Sequence, residues 1–262
     1  ISACLVGSEM CIRDRFEAHF GVAMAGAVLN TLNTRLDTDT IAYILEHADT
    51  RLLITDAAFG EAMKTALAQT KNKKIKIIDI IDQQASESVS GLRLGEQDYE
   101  TFLNGADPDY KWQMPADEWQ AMCLNYTSGT SGRPKGVVYH HRGAYLMAMG
   151  TIPVWNMPMH PTYLYVVPLF HCNGWGHAWM MAIVAGTTIC CRKIIAEDIY
   201  PLITDHKVTH FGGAPIVLSM LVNAPDDVIK KPEHTVNIMT AGAPPPAACL
   251  LYTSPSPRDR LK

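Results

Sequence analysis

The chain has 262 residues, 48% apolar and 18% charged, with a net charge of −4 and a pI near 6.2. Such a composition excludes a disordered or collagen-like polymer and is enough for one large α/β domain or two small ones with a substantial core. No basic stripe interleaved with aromatics occurs, which argues against a nucleic-acid partner and for small-molecule chemistry.

The first stretch, "ISACLVGSEMCIRDR" at 1–15, has neither helical nor strand periodicity. Its counterpart lies at the other end. Back-translated, Cys249–Asp259 (CLLYTSPSPRD) reads on its reverse complement, in a shifted frame, as LVGSEMCIRD, which is Leu5–Asp14. One DNA oligomer accounts for both ends, and it resembles a transposase-type sequencing-library adapter read through as protein. Residues 1–15 and 249–262 are therefore set apart as non-native tails, leaving 16–248 as the folded part. On this reading the second Tyr-Thr-Ser, at 252–254, is accidental and no internal repeat exists.

Within 16–248, "HFGVAMAGAVLNTL" (19–32) predicts a close-packed helix, and 36–49 an amphipathic helix N-capped by Asp37 or Thr38. "TRLLITD" (50–56) reads as a short buried strand, 57–70 as a helix, and "KIKIIDII" (74–81) as a strand. The polar segment 83–118, rich in Gly, Ser and Pro, predicts an exposed connection with one helical turn. Next come strands at 121–127 and 136–141, a helix at 142–152, and a strand over "TYLYVVPLF" (162–170). A helix follows over "NGWGHAWMMAIVA" (173–185), placing Trp175 and Trp179 i, i+4 on one face. The pattern closes with strand 187–191, helix 196–207, strand 209–213, helix 214–224 and strand 236–242. Strands separated by helices imply an α/β fold of mainly parallel sheets covered by helices, with ligands beyond the carboxyl ends of the strands.

The seven cysteines form no C-x-x-C pair, no zinc spacing with His and no disulfide rhythm, so a reducing cytoplasm is expected and no protein-held metal. The most apolar stretch, 179–191, is too short for a membrane span, and no intact signal peptide is present.

The chemistry concentrates in "NYTSGTSGRPKG" (125–136). Successive N–H groups of a Gly-rich turn converge on an anion, and the hydroxyls of Thr127, Ser128, Thr130 and Ser131 add donors without bulk. Gly129 and Gly132 permit positive φ, Pro134 stiffens the turn, and Lys135 brings a cation to a polyphosphate. The spacing is not that of a P-loop, because Pro134 stands where Gly-Lys would be required.

"YTSGTSGRPKGVV" resembles the signature loop of the adenylate-forming enzymes: acyl-CoA synthetases, luciferases and the adenylation domains of peptide synthetases. The resemblance implies that Thr127 to Gly132 and Lys135 hold the ATP phosphates while a carboxylate attacks the α-phosphorus. Ser131 stands where Thr is commoner, and the hydroxyl is kept. "VVPLFHCNGWG" (166–176) matches the family's acyl-pocket segment, and "TAGAPPP" (240–246) its adenine-side turn, with Gly242, Ala243 and Pro244 in the matching positions. By the same resemblance Phe170, His171, Trp175, Ala214 and Pro215 line the acyl pocket.

Members that adenylate amino acids commonly carry an acid after the Phe here numbered 170; this chain has His171, which favours a fatty or aryl acid. "YHHRG" (139–143) reads as strand-end structure rather than catalysis. The combined motifs look closest to ligases of medium-chain or 3-methylthiopropionate type. They imply ATP, Mg²⁺ and CoA as cofactors or substrates, with Lys135 and His171 as catalytic residues. The family's Tyr-Gly-x-Thr-Glu motif, ribose-binding Asp and C-terminal domain with its Lys are not found in these residues. The 262 residues by themselves are therefore expected to be inactive. The alternatives are an adenylation domain that loads a carrier protein and a non-catalytic nucleotide-binding module.

Overall fold

The computed structural model describes residues 2–6, 13–127 and 132–243. Two compact units result: residues 1–147 with 169–176, and 148–168 with 177–262.

The first unit contains β1 (Ser2–Val6), α1 (Arg13–Met24), β2 (Val28–Thr31), α2 (Thr38–His47) and β3 (Thr50–Asp56). It continues through a 3-10 turn (Ala57–Phe59), α3 (Gly60–Gln69), β4 (Lys76–Ile80), α4 (Ser86–Val89), β5 (Gln97–Asp98) and α5 (Tyr99–Asn104). β6 (Ala121–Thr127) and β7 (Lys135–His140) complete its strands, and α6 (His141–Trp155) has its residues to Met147 in this unit and those from Ala148 in the second. The strands run in the order β5-β4-β3-β1-β2-β6-β7, parallel throughout except that β7 returns antiparallel to β6. Asp37 rather than Thr38 caps α2, accepting from the Thr40 N–H at 2.8 Å. The i, i+3, i+4 set Ile41, Ile44 and Leu45 then turns inward against Leu53, Met63 and Ala66.

The second unit holds β8 (Thr162–Tyr165), β9 (Thr187–Cys190), β10 (His210–Gly213) and β11 (Asn237–Thr240), all parallel in the order β11-β10-β8-β9. Helices His177–Ile183, Ala196–Asp205 and Pro215–Val222 alternate with them. Ile199, Ile203, Val208, Phe211, Leu218 and Leu221 pack with Leu164 and Val166 into its core. An α/β fold of mainly parallel sheets is thus observed.

Within the stretch set apart as a tail, Ser2–Val6 forms β1 between β2 and β3, and residues 13–15 begin α1, where Asp14 and Arg15 are buried; this pairing does not bear on the adapter-like origin of the stretch. A backbone ladder of four residue pairs to β2 and five to β3 needs no side-chain periodicity, which is why the pattern gave no sign of it. The expected helix over 19–32 ends at Met24. Gly26 takes φ +68°, Ala27 N–H bonds back to Val22 O at 3.0 Å, and Val28–Thr31 becomes β2.

Segment 83–118 is more ordered than a connection with one turn. The buried Asp79 carboxylate of β4 accepts from Leu94 N–H (3.0 Å) and Gly95 N–H (2.8 Å), pulling α4, β5 and α5 onto the sheet. The strand predicted over 162–170 stops at Tyr165. The helix predicted over 173–185 begins only at His177, so Trp175 and Trp179 do not share a helix face.

Candidate functional site

The root of the Gly- and Ser-rich loop is the β6–β7 hairpin. Thr127 pairs directly with Lys135, and Tyr126 with Gly136. A Cβ on Gly136 would stand 2.9 Å from Leu124 Cδ1, so a larger residue at this crossing would make the Leu124 side chain shift. Both Thr127 and Lys135 are exposed at the carboxyl end of β6, and Gly132 has φ +131°, a glycine conformation. Ser128, Gly129, Thr130 and Ser131 lie outside the described residues.

Helix α2 grips both ends of this loop. Tyr126, just before it, places its hydroxyl 2.7 Å from His47 Nδ1, and Arg133, just after it, sets its guanidinium 5.2 Å from the Tyr43 ring centroid. Tyr43 and His47 are one turn apart, with ring centroids 5.2 Å apart. Sequence reading missed both; the available signal was an aromatic pair at i, i+4 on the polar side of an otherwise apolar-faced helix.

The second feature is the turn after Phe170. Cys172, Asn173, Gly174, Trp175 and Gly176 all have positive φ, between 46° and 68°. Five successive left-handed residues are costly for L-amino acids, about 1–2 kcal/mol for each non-glycine. Two backbone bonds close the turn, Gly174 N–H to His171 O (2.9 Å) and Gly176 N–H to Asn173 O (3.0 Å). His171 and Cys172 are exposed, Phe170 and Trp175 half-buried, and Asn173 fully buried. Phe170 carries the Arg15 guanidinium 5.9 Å from its ring centroid. Asn173 Oδ1 accepts from Asn125 Nδ2, and Asn125 Oδ1 accepts from Thr31 Oγ1 at 3.2 Å. Phe170, His171 and Trp175 therefore belong to the same unit as the hairpin, tied to β6 only two residues before Thr127. At the other end of the hairpin, His140 Nδ1 accepts from Gly143 N–H at 3.0 Å, the strand-end role expected for this stretch.

The remaining predicted residues lie in the second unit. Gly213 of β10 pairs with Thr240 of β11, so Ala214 and Pro215, which open the helix Pro215–Val222, and Gly242 and Ala243 all follow the carboxyl ends of adjacent parallel strands. Ala214 and Pro215 are half-buried, whereas Gly242 (φ +96°) and Ala243 are exposed. Pro244 lies outside the described residues. Among the described residues no helix is long and apolar enough to cross a membrane.

Parallel sheets with chemistry-bearing loops at their strand ends, one of them a glycine-rich hairpin flanked by hydroxyl and lysine, define an α/β ligand-binding enzyme fold. The AMP-binding enzyme family matches residues 13–252, and the chain belongs to that family. It is 46% identical over 244 residues to the peroxisomal acetate/butyrate–CoA ligase AAE7 of Arabidopsis thaliana, covering 90% of this chain and 43% of that protein. Against the 2-methylpropanoate–CoA ligase CCL4 of Humulus lupulus it is 45% identical over 247 residues, 92% and 44% of the respective lengths. The chain thus spans less than half the length of these curated relatives. In fold it is similar to the N-terminal domain of FACL13 from Mycobacterium tuberculosis, with a TM-score of 0.80 at 21% identity over 95% of this chain and 58% of that one. The o-succinylbenzoate CoA synthetase MenE from Bacillus subtilis gives a TM-score of 0.71 at 21% identity, over 95% and 46%.

Proposed function

We propose that this chain is part of an AMP-forming acid–thiol ligase that activates an aliphatic carboxylic acid with ATP and passes the acyl group to CoA. The observation that carries the reading is the Thr127–Lys135 pair at the root of the glycine-rich hairpin, in a chain 46% identical to an acetate/butyrate–CoA ligase. The names of that relative and of the 2-methylpropanoate ligase favour a short aliphatic acid; 3-methylthiopropionate remains within the same class.

On this reading the loop residues Thr127 to Gly132 and the Lys135 ammonium bind the β- and γ-phosphates, and the exposed hydroxyl and cation at the hairpin root suit an anion. A carboxylate oxygen attacks the α-phosphorus, the bond to the bridging oxygen breaks, and pyrophosphate leaves with the charge that Lys135 neutralises. His171 donates a hydrogen bond that orients the carboxylate, while Phe170, Trp175, Ala214 and Pro215 face the acyl tail. Gly242, Ala243 and Pro244 border the adenine. The CoA sulfur then attacks the acyl carbon, the thiol proton is lost and AMP leaves. Mg²⁺, when bound, would spread the phosphate charge. Among the described residues no three His, Cys, Asp or Glu side chains gather to hold it.

The test uses the longer protein containing this chain, with ATP, CoA and a panel of acetate, butyrate, 2-methylpropanoate, 3-methylthiopropionate and an amino acid. Thioester, AMP and pyrophosphate should form with the aliphatic acids and not with the amino acid. Nucleotide binding without acyl-adenylate, or transfer to a carrier protein alone, would sink the proposal. The 262 residues by themselves should not exchange pyrophosphate.

A further inference from the structure

The buried polar chain behind the left-handed turn is unusual in both its ends. It starts at Thr31 on β2, runs through Asn125 on β6 and ends at Asn173, the second residue of the turn. Thr31, Asn125 and Asn173 are 4%, 7% and 0% exposed, so each bond in the chain forms away from water. The last amide nitrogen, Asn173 Nδ2, is buried and has no hydrogen-bond partner. A buried amide held with one donor unsatisfied is retained only where its remaining bond does something that an apolar residue would not.

We propose that Asn125 and Asn173 are positioning residues: their bond clamps residues 172–176 in the left-handed conformation and thereby sets the direction in which His171 leaves the sheet. The turn holds three non-glycine residues, Cys172, Asn173 and Trp175, at positive φ, a conformation that stays costly beside its backbone bonds. Asn173 has φ 46° and ψ 48°, the left-handed well that asparagine occupies more readily than other non-glycine residues. Its side chain is in turn anchored to a central strand pair rather than to the turn itself, so the conformation is imposed from the sheet. Asn125 stands two residues before Thr127, so the same clamp couples the His171 turn to the root of the phosphate hairpin. The role assigned to His171 rests on the proposed carboxylate activation, whereas the clamp does not.

Cys172 reports on the clamp directly. Its side chain is exposed beside Tyr139, while Cys191 is buried in the second unit. The 262-residue chain is alkylated with iodoacetamide, and the rate at each cysteine is followed by peptide mass spectrometry, with no ATP or acid present. Asn125→Leu and Asn173→Ala should each raise the Cys172 rate about tenfold, since the freed turn leaves the left-handed well. Thr31→Val, which removes one bond at the far end, should raise it about threefold. Asn173→Gly should restore a rate near that of the parent, because glycine keeps positive φ without the clamp. In every variant Cys191 should stay protected. A Cys172 rate within twofold of the parent in Asn125→Leu and Thr31→Val overturns the proposal. So does a rise matched by Cys191, which would mark general loosening. If Asn125→Leu fails to fold, Thr31→Val and the Asn173 pair decide. Because the readout needs no substrate, its failure is separate from any failure of the acid-ligase reading.

Discussion

Tyr163 on β8 places its hydroxyl 2.6 Å from Nδ1 of His177, and the same oxygen accepts the Gly212 N–H at 3.2 Å. The hydroxyl thus bonds both the imidazole and the backbone of β10 away from water. Trp155 closes the group, its ring centroid 5.4 Å from His177 and 5.5 Å from His210. Burial pushes His177 down to about 4 from an ordinary 6.5.

The sign of the pH dependence follows from that depression. Between about pH 6.5 and 4 the unfolded chain binds a proton at His177 that the folded chain refuses, so stability falls as pH drops through this window. The difference of 6.5 − 4 is on the order of 3 kcal/mol at the acid end. His19, buried and also pushed down to about 4, acts in the same sense; Asp14, raised to about 6 by burial, opposes it. Urea unfolding from pH 7 to 4 should show the loss, and His177→Gln should reduce the slope by about 1.4 kcal/mol per pH unit. An unchanged slope in that variant would refute the assignment.

Asp79 is the fastening of the 83–118 segment. Asp79→Ala would leave the N–H groups of Leu94 and Gly95 without their acceptor and should cost about 2–4 kcal/mol, read from chemical denaturation. Hydrogen exchange should rise across 86–104 before it rises in β3. Gly95→Ala should be comparably damaging, since its Cβ would meet Ile77 O at 2.5 Å.

The two loop anchors on α2 are individually weak. Tyr126→Phe, which removes the bond to His47, and Tyr43→Leu, which removes the ring under Arg133, should each cost about 0.5–1.5 kcal/mol of stability. Their larger effect is expected on function: in the longer protein both should raise the KM for ATP more than they lower kcat, because they order a binding loop. An equal fall in kcat with KM unchanged would argue against that role.

Lys135→Ala in the longer protein should reduce kcat/KM for ATP about 10–100-fold, the range of a lost charge-assisted contact. Thr127→Val should have a smaller effect of the same kind. Pyrophosphate exchange is the measurement, and near-normal exchange in Lys135→Ala would remove the lysine from the site.

Periodicity reports burial on one face, so it located α2, β3, β4, β6 and most of the second unit's elements closely. It could not locate β1, whose place depends on backbone pairing with β2 and β3, nor separate α1 from β2 across Gly26. The loop "NYTSGTSGRPKG" and the "FHCNGWG" segment were legible as chemistry because small, hydroxyl-bearing and cationic residues cluster there without a packing reason. The backbone form of "FHCNGWG" was not, since a run of Cys, Asn, Gly and Trp reads equally well as the start of a helix.

Residue types alone determined the family, the α/β class, and the two stretches where ligand chemistry is concentrated, since these depend on local composition and order. Tertiary structure decided what holds those stretches in place. Tyr43 meets Arg133, His47 meets Tyr126 and Asn125 meets Asn173 across 90, 79 and 48 residues of chain respectively. Contacts at such separation arise from how strands are ordered in a sheet, and strand order is not written in any one segment.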